Sequence, residues 1–401
     1  MSLSSNFRLS QLSLKQLRMG RLALPASLLA VSLLAGCANS AQPEYTPKDL
    51  VEFDSKVTLD SAWSESVGNG LGRAHYPLAP IVANDRLFVA AEDGELEALD
   101  AKNGDDVWQV TLPSGITSAL NADTSRLYVG TRDGKVSAIN QEDGSVEWST
   151  RVSSEVLAAP QYNDELVVVQ SVDGTITALD RFTGEEQWAY TATIPALTLR
   201  GTGAPRVIKP VTFAGFANGK LVTLDNRSGQ ELWDLRVAVP AGRTEVDQLV
   251  DLDGQPVLTQ DGRLFVTSYN GRLIALDARN GEPLWDKKSS SYLTPIVVGD
   301  YLFSIDNASH VLAMDANTGN VLWKSEDLEG RWLTSPAFVD GKLVVGDFDG
   351  YVHLLDAQSG EIVGRYDVGG DGISITPLTD GKRIYIYTND GELTALDLET
   401  P

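Results

Sequence analysis

One pattern recurs along the chain from residue 57 to the C-terminus, and it leaves few folds open. Written Asp-Gly-x-(Leu/Val)-x-Ala-Leu-Asp-x-x-x-Gly-x-x-x-Trp, it reads DGELEALDAKNGDDVW from Asp93, DGKVSAINQEDGSVEW from Asp133, DGTITALDRFTGEEQW from Asp173, NGKLVTLDNRSGQELW from Asn218 and NGRLIALDARNGEPLW from Asn270. Two copies are degenerate, ASHVLAMDANTGNVLW from Ala308 and DGYVHLLDAQSGEIVG from Asp349, and an eighth, DGELTALD from Asp390, stops at the C-terminus. Successive copies start 40, 40, 45, 52, 38, 41 and 41 residues apart, the spacing of a repeated supersecondary unit.

Each unit reads as four antiparallel strands. Asp-Gly or Asn-Gly between alternating apolar segments signals a hairpin whose two turn residues take positive φ, so Arg86 to Ala91 pairs with Glu95 to Asp100, and the turn at Gly104 leads into a strand through Trp108. A preceding short segment, such as Pro77 to Val82 or Thr294 to Val298, supplies the fourth strand. Units of this size cannot bury their own faces and stack radially as propeller blades. Seven of the eight tryptophans (Trp63, Trp108, Trp148, Trp188, Trp233, Trp285 and Trp323) fall at the motif position, which assigns them to inter-blade packing rather than to a ligand box. The last unit lacks its outer strand, while Val57 to Trp63 carries the outer-strand signature ahead of the first full unit. The expectation is an all-β, eight-bladed β-propeller of four-stranded antiparallel blades, a single domain over residues 57–401, its last blade closed by the N-terminal strand.

The first 36 residues are of another kind. They hold four basic residues (Arg8, Lys15, Arg18, Arg21), no acid, an apolar run from Leu22 to Leu34 and then Ala35-Gly36-Cys37, the order of a secretory signal. The run is short for a membrane span and contains Pro25. Leu34-Ala35-Gly36-Cys37 resembles the lipobox of bacterial lipoproteins, which implies cleavage after residue 36 and acylation of Cys37. Ala38 in place of Asp lacks the inner-membrane retention signal of that class, so the resemblance implies an outer-membrane anchor facing the periplasm. Residues 37–56, with Pro43, Pro47 and no apolar periodicity, are expected to be the acylated cysteine and a flexible tether. Loss of residues 1–36 takes the net charge from −23 to −27. That charge opposes nucleic acid and anionic lipid alike.

Chemistry-bearing patterns are sparse. Cys37 is the sole cysteine, and His75, His310 and His353 are isolated, so neither a disulfide nor a His/Cys zinc site is expected. Gly68-Asn69-Gly70-Leu71-Gly72 superficially resembles a dinucleotide loop but opens no βαβ unit. Asp251-Leu252-Asp253-Gly254 and Asp347-Phe348-Asp349-Gly350 are fragments of a calcium loop at most and read as turns. The Trp motif resembles the docking repeat of quinoprotein (PQQ-dependent) dehydrogenases. The vicinal disulfide often found in those enzymes is impossible here and the chain is shorter than theirs, so the expectation is a protein with no catalytic residues, metal or cofactor.

The repeat is most informative where it breaks. From Trp108, Trp148, Trp188, Trp233, Trp285 and Trp323 to the next unit the spacing is 25, 25, 30, 37, 23 and 26 residues, so the long connections among these follow Trp188 and Trp233 on neighbouring blades. Long loops on a rigid repeat scaffold are a common way to build a binding surface. The first contains Ile194-Pro195-Ala196-Leu197-Thr198-Leu199-Arg200-Gly201; the second, acidic, runs from Arg243 to Asp253. Lipobox, acidic propeller, PxLTLRG and TEVDxLxDxD together resemble the BamB family of outer-membrane β-barrel assembly lipoproteins, over residues 57 to 397. The resemblance implies a scaffold that binds the periplasmic POTRA region of BamA, in company with other lipoproteins of that machinery, through positions matching Leu197, Leu199, Arg200, Asp251 and Asp253. Apolar anchors beside an arginine, with carboxylates to steer or clamp a basic partner, make a reasonable hot spot; alternatively the leucines pack under their own loop and Arg200 pairs internally. Two other roles stand beside it: a quinoprotein-like enzyme, and a chaperone-like module gripping strands of unfolded outer-membrane proteins. Ala308-Ser309 for Asp-Gly, Asn140 for Asp and Gly364 for Trp depart from the repeat and are expected to weaken local turns or packing.

Overall fold

In the seven full copies of the repeat the Asp-Gly, Asn-Gly or Ala-Ser step joins the second strand of a blade to the third, and the later glycine joins the third to the fourth. Blade 1 has strands Ile81–Ala83, Arg86–Ala90, Glu95–Asp100 and Asp106–Thr111, paired in that order. The computed structural model describes residues 45–199, 201 and 203–399. From residue 47 onward they build eight such four-stranded antiparallel sheets and, among the described residues, no helix. Blades 2 to 7 span 121–151, 161–191, 206–236, 257–289, 296–325 and 337–367. Blade 8 combines Leu378–Thr379, Arg383–Tyr387 and Glu392–Glu399 with the early strand Thr58–Ser66. That strand pairs from Thr58 opposite Glu399 to Ser66 opposite Glu392, with a bulge between Ser61 and Trp63. The chain is thus an eight-bladed β-propeller closed by its N-terminal strand.

The hairpin turn differs from the expected two-residue form. Gly94 N–H donates to Ala91 O (3.1 Å) and Ala91 N–H to Glu95 O (2.9 Å), with positive φ at Gly94. This is a longer loop, a tight turn followed by a left-handed glycine. Asp93 keeps ordinary φ, and its Oδ1 accepts the Glu95 N–H.

The tryptophans dock each blade onto the next. Trp63, Trp108, Trp148, Trp188, Trp233, Trp285 and Trp323 lie over Gly104, Gly144, Gly184, Gly229, Gly281, Gly319 and Gly360 of the following blade, so close that a Cβ there would sit 2.5–2.9 Å from the indole. The same glycines hold φ between +68° and +78°, so both the contact and the turn demand glycine. Five indole N–H groups donate to a main-chain oxygen of that next blade, as Trp188 does to Asn226 O at 2.7 Å.

The departures from the repeat are compensated. Asn140 Oδ1 still accepts the Glu142 N–H (2.8 Å), Ser309 adopts φ +67°, and Asp306 Oδ1 takes the Ala308 and His310 N–H groups. At Gly364 the docking tryptophan is replaced by the N-terminal chain itself: a Cβ there would lie 3.1 Å from Val57 O, and the Lys56 and Val57 N–H groups both donate to Val363 O.

The expected flexible tether therefore ends earlier than residue 56. Lys48 N–H donates to Glu329 O, Arg331 Nη1 to Lys48 O and Arg365 Nη1 to Val51 O, while Phe53 lies under the Arg365 guanidinium. Val51 and Phe53 pack at the seam of blades 6 and 7, and Val57 and Leu59 at that of blades 7 and 8. Residues 48–57 form a strap across blade 7.

Candidate partner-binding site

Strand alternation puts the Asp-Gly turn and the connection to the next blade at the same end of every blade. The hydrogen bonds Leu112 N–H to Gly94 O, Val152 N–H to Gly134 O, Ala192 N–H to Gly174 O and Val237 N–H to Gly219 O tie the two together. All long connections consequently lie on one face of the ring. The two insertions are the stretches 192–205 and 237–256 between blades 3, 4 and 5.

The insertions interlock. Asp251 Oδ1 accepts the Leu199 N–H at 2.9 Å, and a Cβ at Gly201 would collide with the Asp253 carboxylate. Gly203 and Gly215 likewise leave room for Leu252 and the main chain beside it. Leu249, Val250 and Leu252 are buried beneath, so the second insertion is the floor on which the first is laid.

This arrangement sorts the five candidate residues. Leu197 is 43% exposed at the crest, and Leu199 is half-buried. Asp251 is fully buried. It supports the Leu199 backbone and does not present charge to solvent. Asp253 is half-buried beside Gly201. Burial raises the affinity of the Asp251 carboxyl for its proton, partly offset by the Leu199 N–H, and burial with repulsion from Asp251 pushes Asp253 up to about 7. Arg200 lies outside the described residues, as does Cys37.

Sequence reasoning missed what faces the ridge. Leu199, Gly201 and Asp253 share a cavity of about 420 Å³ with His75, Tyr76 and Pro77 from the connection entering blade 1, and with Leu157 from that entering blade 3. The signal was the glycine cluster dismissed as a poor dinucleotide loop. Gly68, Gly70 and Gly72 all have positive φ, and a Cβ at Gly70 would run into the backbone of residues 389–391, so the cluster folds this connection tightly against blade 8. Val239 and Val246 add exposed apolar surface on the second insertion.

The remaining polar chemistry is structural. His353 Nε2 lies 2.8 Å from Asp347 Oδ2, which also accepts from Arg331 Nε at 2.7 Å; His310 Nδ1 pairs with Asp306. Burial lowers the His353 pKa, and hydrogen bonds from His353 and Arg331 outweigh burial to keep Asp347 ionised. Among the described residues no group of His, Cys, Asp and Glu is placed to hold a metal.

The family model described as outer membrane protein assembly factor BamB matches residues 55–121, 92–325 and 307–400. The outer membrane protein assembly factor BamB of Pseudomonas aeruginosa is 45% identical over 371 residues, 92% of this chain and 97% of that one. The crystal structure of BamB from Moraxella catarrhalis superposes with a TM-score of 0.77 at 28% identity, covering 84% of this chain and 99% of that one. A quinohemoprotein alcohol dehydrogenase of Pseudomonas putida HK5 shares the fold alone, with a TM-score of 0.67 at 13% identity over 86% of this chain and 76% of that one. A match spanning the whole propeller places this chain in the BamB family of outer membrane protein assembly factors.

Proposed function

We propose that this chain serves outer-membrane protein assembly as a scaffold that holds the periplasmic POTRA region of BamA on the ridge formed by its two insertions. It is an assembly factor and not an enzyme, as its relatives are. The observation that carries the reading is the interlock of Leu199 N–H with the buried Asp251. Ordering a loop in advance removes part of the cost of binding, and it leaves Leu197 and Leu199 as apolar anchors with Arg200 next in sequence. On this reading residues 1–36 are a signal peptide, Cys37 carries the lipid, the propeller faces the periplasm from the outer membrane, and other lipoproteins of the machinery are its neighbours.

Capture of BamA POTRA fragments by Leu197→Ala, Leu199→Ala and Arg200→Ala variants tests the ridge. At least one should lose about 2 kcal/mol of binding with an unchanged melting temperature; full capture by all three, correctly folded, discards it. The anchor is tested separately, since a Cys37→Ser chain should no longer incorporate fatty acid or fractionate with the outer membrane. A second reading has its own support. The outer strands leave open edges bearing exposed Val107, Val146, Leu232 and Leu284, which suits pairing with extended segments of unfolded outer-membrane proteins. Crosslinking from these positions to an unfolded client separates it from the scaffold reading.

A further inference from the structure

We propose that the corner of the connection face around Trp332 rests on the lipid surface to which the chain is anchored, with the Trp332 indole as its interfacial contact. The inference depends on the reading of Cys37 as the lipidated residue. Trp332 is the one tryptophan outside the blade-docking motif. It lies between blades 6 and 7, is 60% exposed and holds φ +48°, a left-handed conformation that bulky residues rarely adopt.

Its neighbours impose that posture. Arg331 is buried and bound to Asp347 and Asp349. Leu333 is buried in the core, its N–H donating to Ser309 Oγ. With both flanking side chains turned inward, the indole is turned out and leans on Phe348, ring centres 5.6 Å apart.

The same Arg331 receives the anchor chain, since its Nη1 holds Lys48 O while Lys48 N–H donates to Glu329 O. The polypeptide coming from the lipid thus meets the propeller one residue from the exposed indole. Eleven residue steps separate Cys37 from Lys48, a reach of at most about 40 Å, so this corner stays within that distance of the lipid and is free to rest on it. An indole, apolar in body and with a polar N–H, suits the headgroup region. Glu326 and Glu329 next to it are paired with Lys324 and Lys48, and Asp327 leaves this stretch with a small net negative charge that disfavours anionic lipid, so the surface it fits is zwitterionic.

The test uses the full lipidated chain in phosphatidylcholine vesicles containing a spin-labelled quencher lipid, with an environment-sensitive fluorophore on Trp332→Cys. The control is Phe182→Cys, an exposed residue in the turn after the third strand of blade 3, on the opposite face of the ring. On the reading above the Cys37 thiol is taken up in the lipid linkage and does not take the label. Emission from position 332 should shift to the blue and be quenched severalfold more than emission from 182. Equal, weak quenching at both positions in protein that floats with the vesicles overturns the inference and leaves the anchor standing. A probe at 332 that ignores the quencher lipid and shifts only when BamA is added overturns it in favour of a protein contact. Failure of the chain to float with the vesicles removes both readings.

Discussion

Asp251 and Asp253 stand two residues apart in one connection and do different work. Asp251 holds the Leu199 N–H from below, so Asp251→Ala should loosen the ridge and weaken BamA capture by about 1 kcal/mol, whereas Asp251→Asn, which keeps an acceptor, should retain it. Equal loss in the two variants would point to charge and not to loop support. Asp253 matters through its proton, as does Glu97, which is buried in blade 1 and pushed up to about 8 by desolvation and by its neighbour Glu95. Both bind a proton more tightly folded than unfolded. Their stabilisation is therefore complete below the ordinary carboxylate range and is lost as pH rises through about 7 and about 8, at no more than about 1.4 kcal/mol per pH unit for each. The melting temperature should fall from pH 5 to 9. Asp253→Asn should flatten that fall only up to about pH 7 and Glu97→Gln along its whole course up to about pH 8; a profile unchanged by either substitution would show that these carboxyls do not take up protons on folding. The leucines of the ridge were legible because an apolar pair in an insertion stands out from a polar connection. The inward turn of Asp251 was not, because its partner lies 52 residues away on another connection and no local period reports it.

The strap shows the same limit for an element. Residues 48–57 offer only Val51, Phe53 and Val57 as alternating apolar positions, too few to announce a strap, and the side chains that hold its carbonyls, Arg331 and Arg365, are 283 and 314 residues distant. Those two arginines separate experimentally. Arg331→Ala takes the guanidinium from the fully buried Asp347, leaving it His353 and the Asp349 and Tyr351 N–H groups, and should cost about 3–5 kcal/mol in chemical denaturation. Arg365→Ala should cost less, yet speed hydrogen exchange along residues 48–53. Equal protection of those amides in the Arg365 variant and the parent would show that the guanidinium does not hold the strap. Gly364 offers the sharper contrast between repeat and structure. The repeat asks for tryptophan there, so Gly364→Trp would restore the pattern and stabilise a merely degenerate copy. The structure gives the space to Val57, so the same substitution should displace the strap and lower the melting temperature. A rise in melting temperature would mean that the seam of blades 7 and 8 is an ordinary dock with its tryptophan missing.

The whole molecule is a ring of near-identical joints, with two of its eight seams built differently. Six seams use a tryptophan on a glycine between blades that follow each other in the chain, and that regularity is why the blade number could be counted from the repeat before any coordinates were considered. The seam of blades 7 and 8 uses the strap. That of blades 8 and 1 uses Trp63 on Gly104, with Tyr385 donating to Ala101 O and Tyr387 to Ala90 O across it. Both depend on residues 48–66, so one short segment closes the circle, and an open propeller would expose a strand edge and an uncovered blade face at once. Deleting the first 66 residues should therefore affect the entire ring, lowering the melting temperature by about 10 °C or more, because apolar burial at two seams is lost together. A synthetic peptide of residues 47–66 separates closure from a general loss of mass. If the strand acts by closing the ring, the peptide binds the truncated chain and restores most of the lost melting temperature, and a Leu59→Asp, Trp63→Ala peptide does not, since Leu59 is buried at one altered seam and Trp63 docks the other. A truncated chain that melts like the parent would show that the six remaining tryptophan seams hold the ring without a clasp.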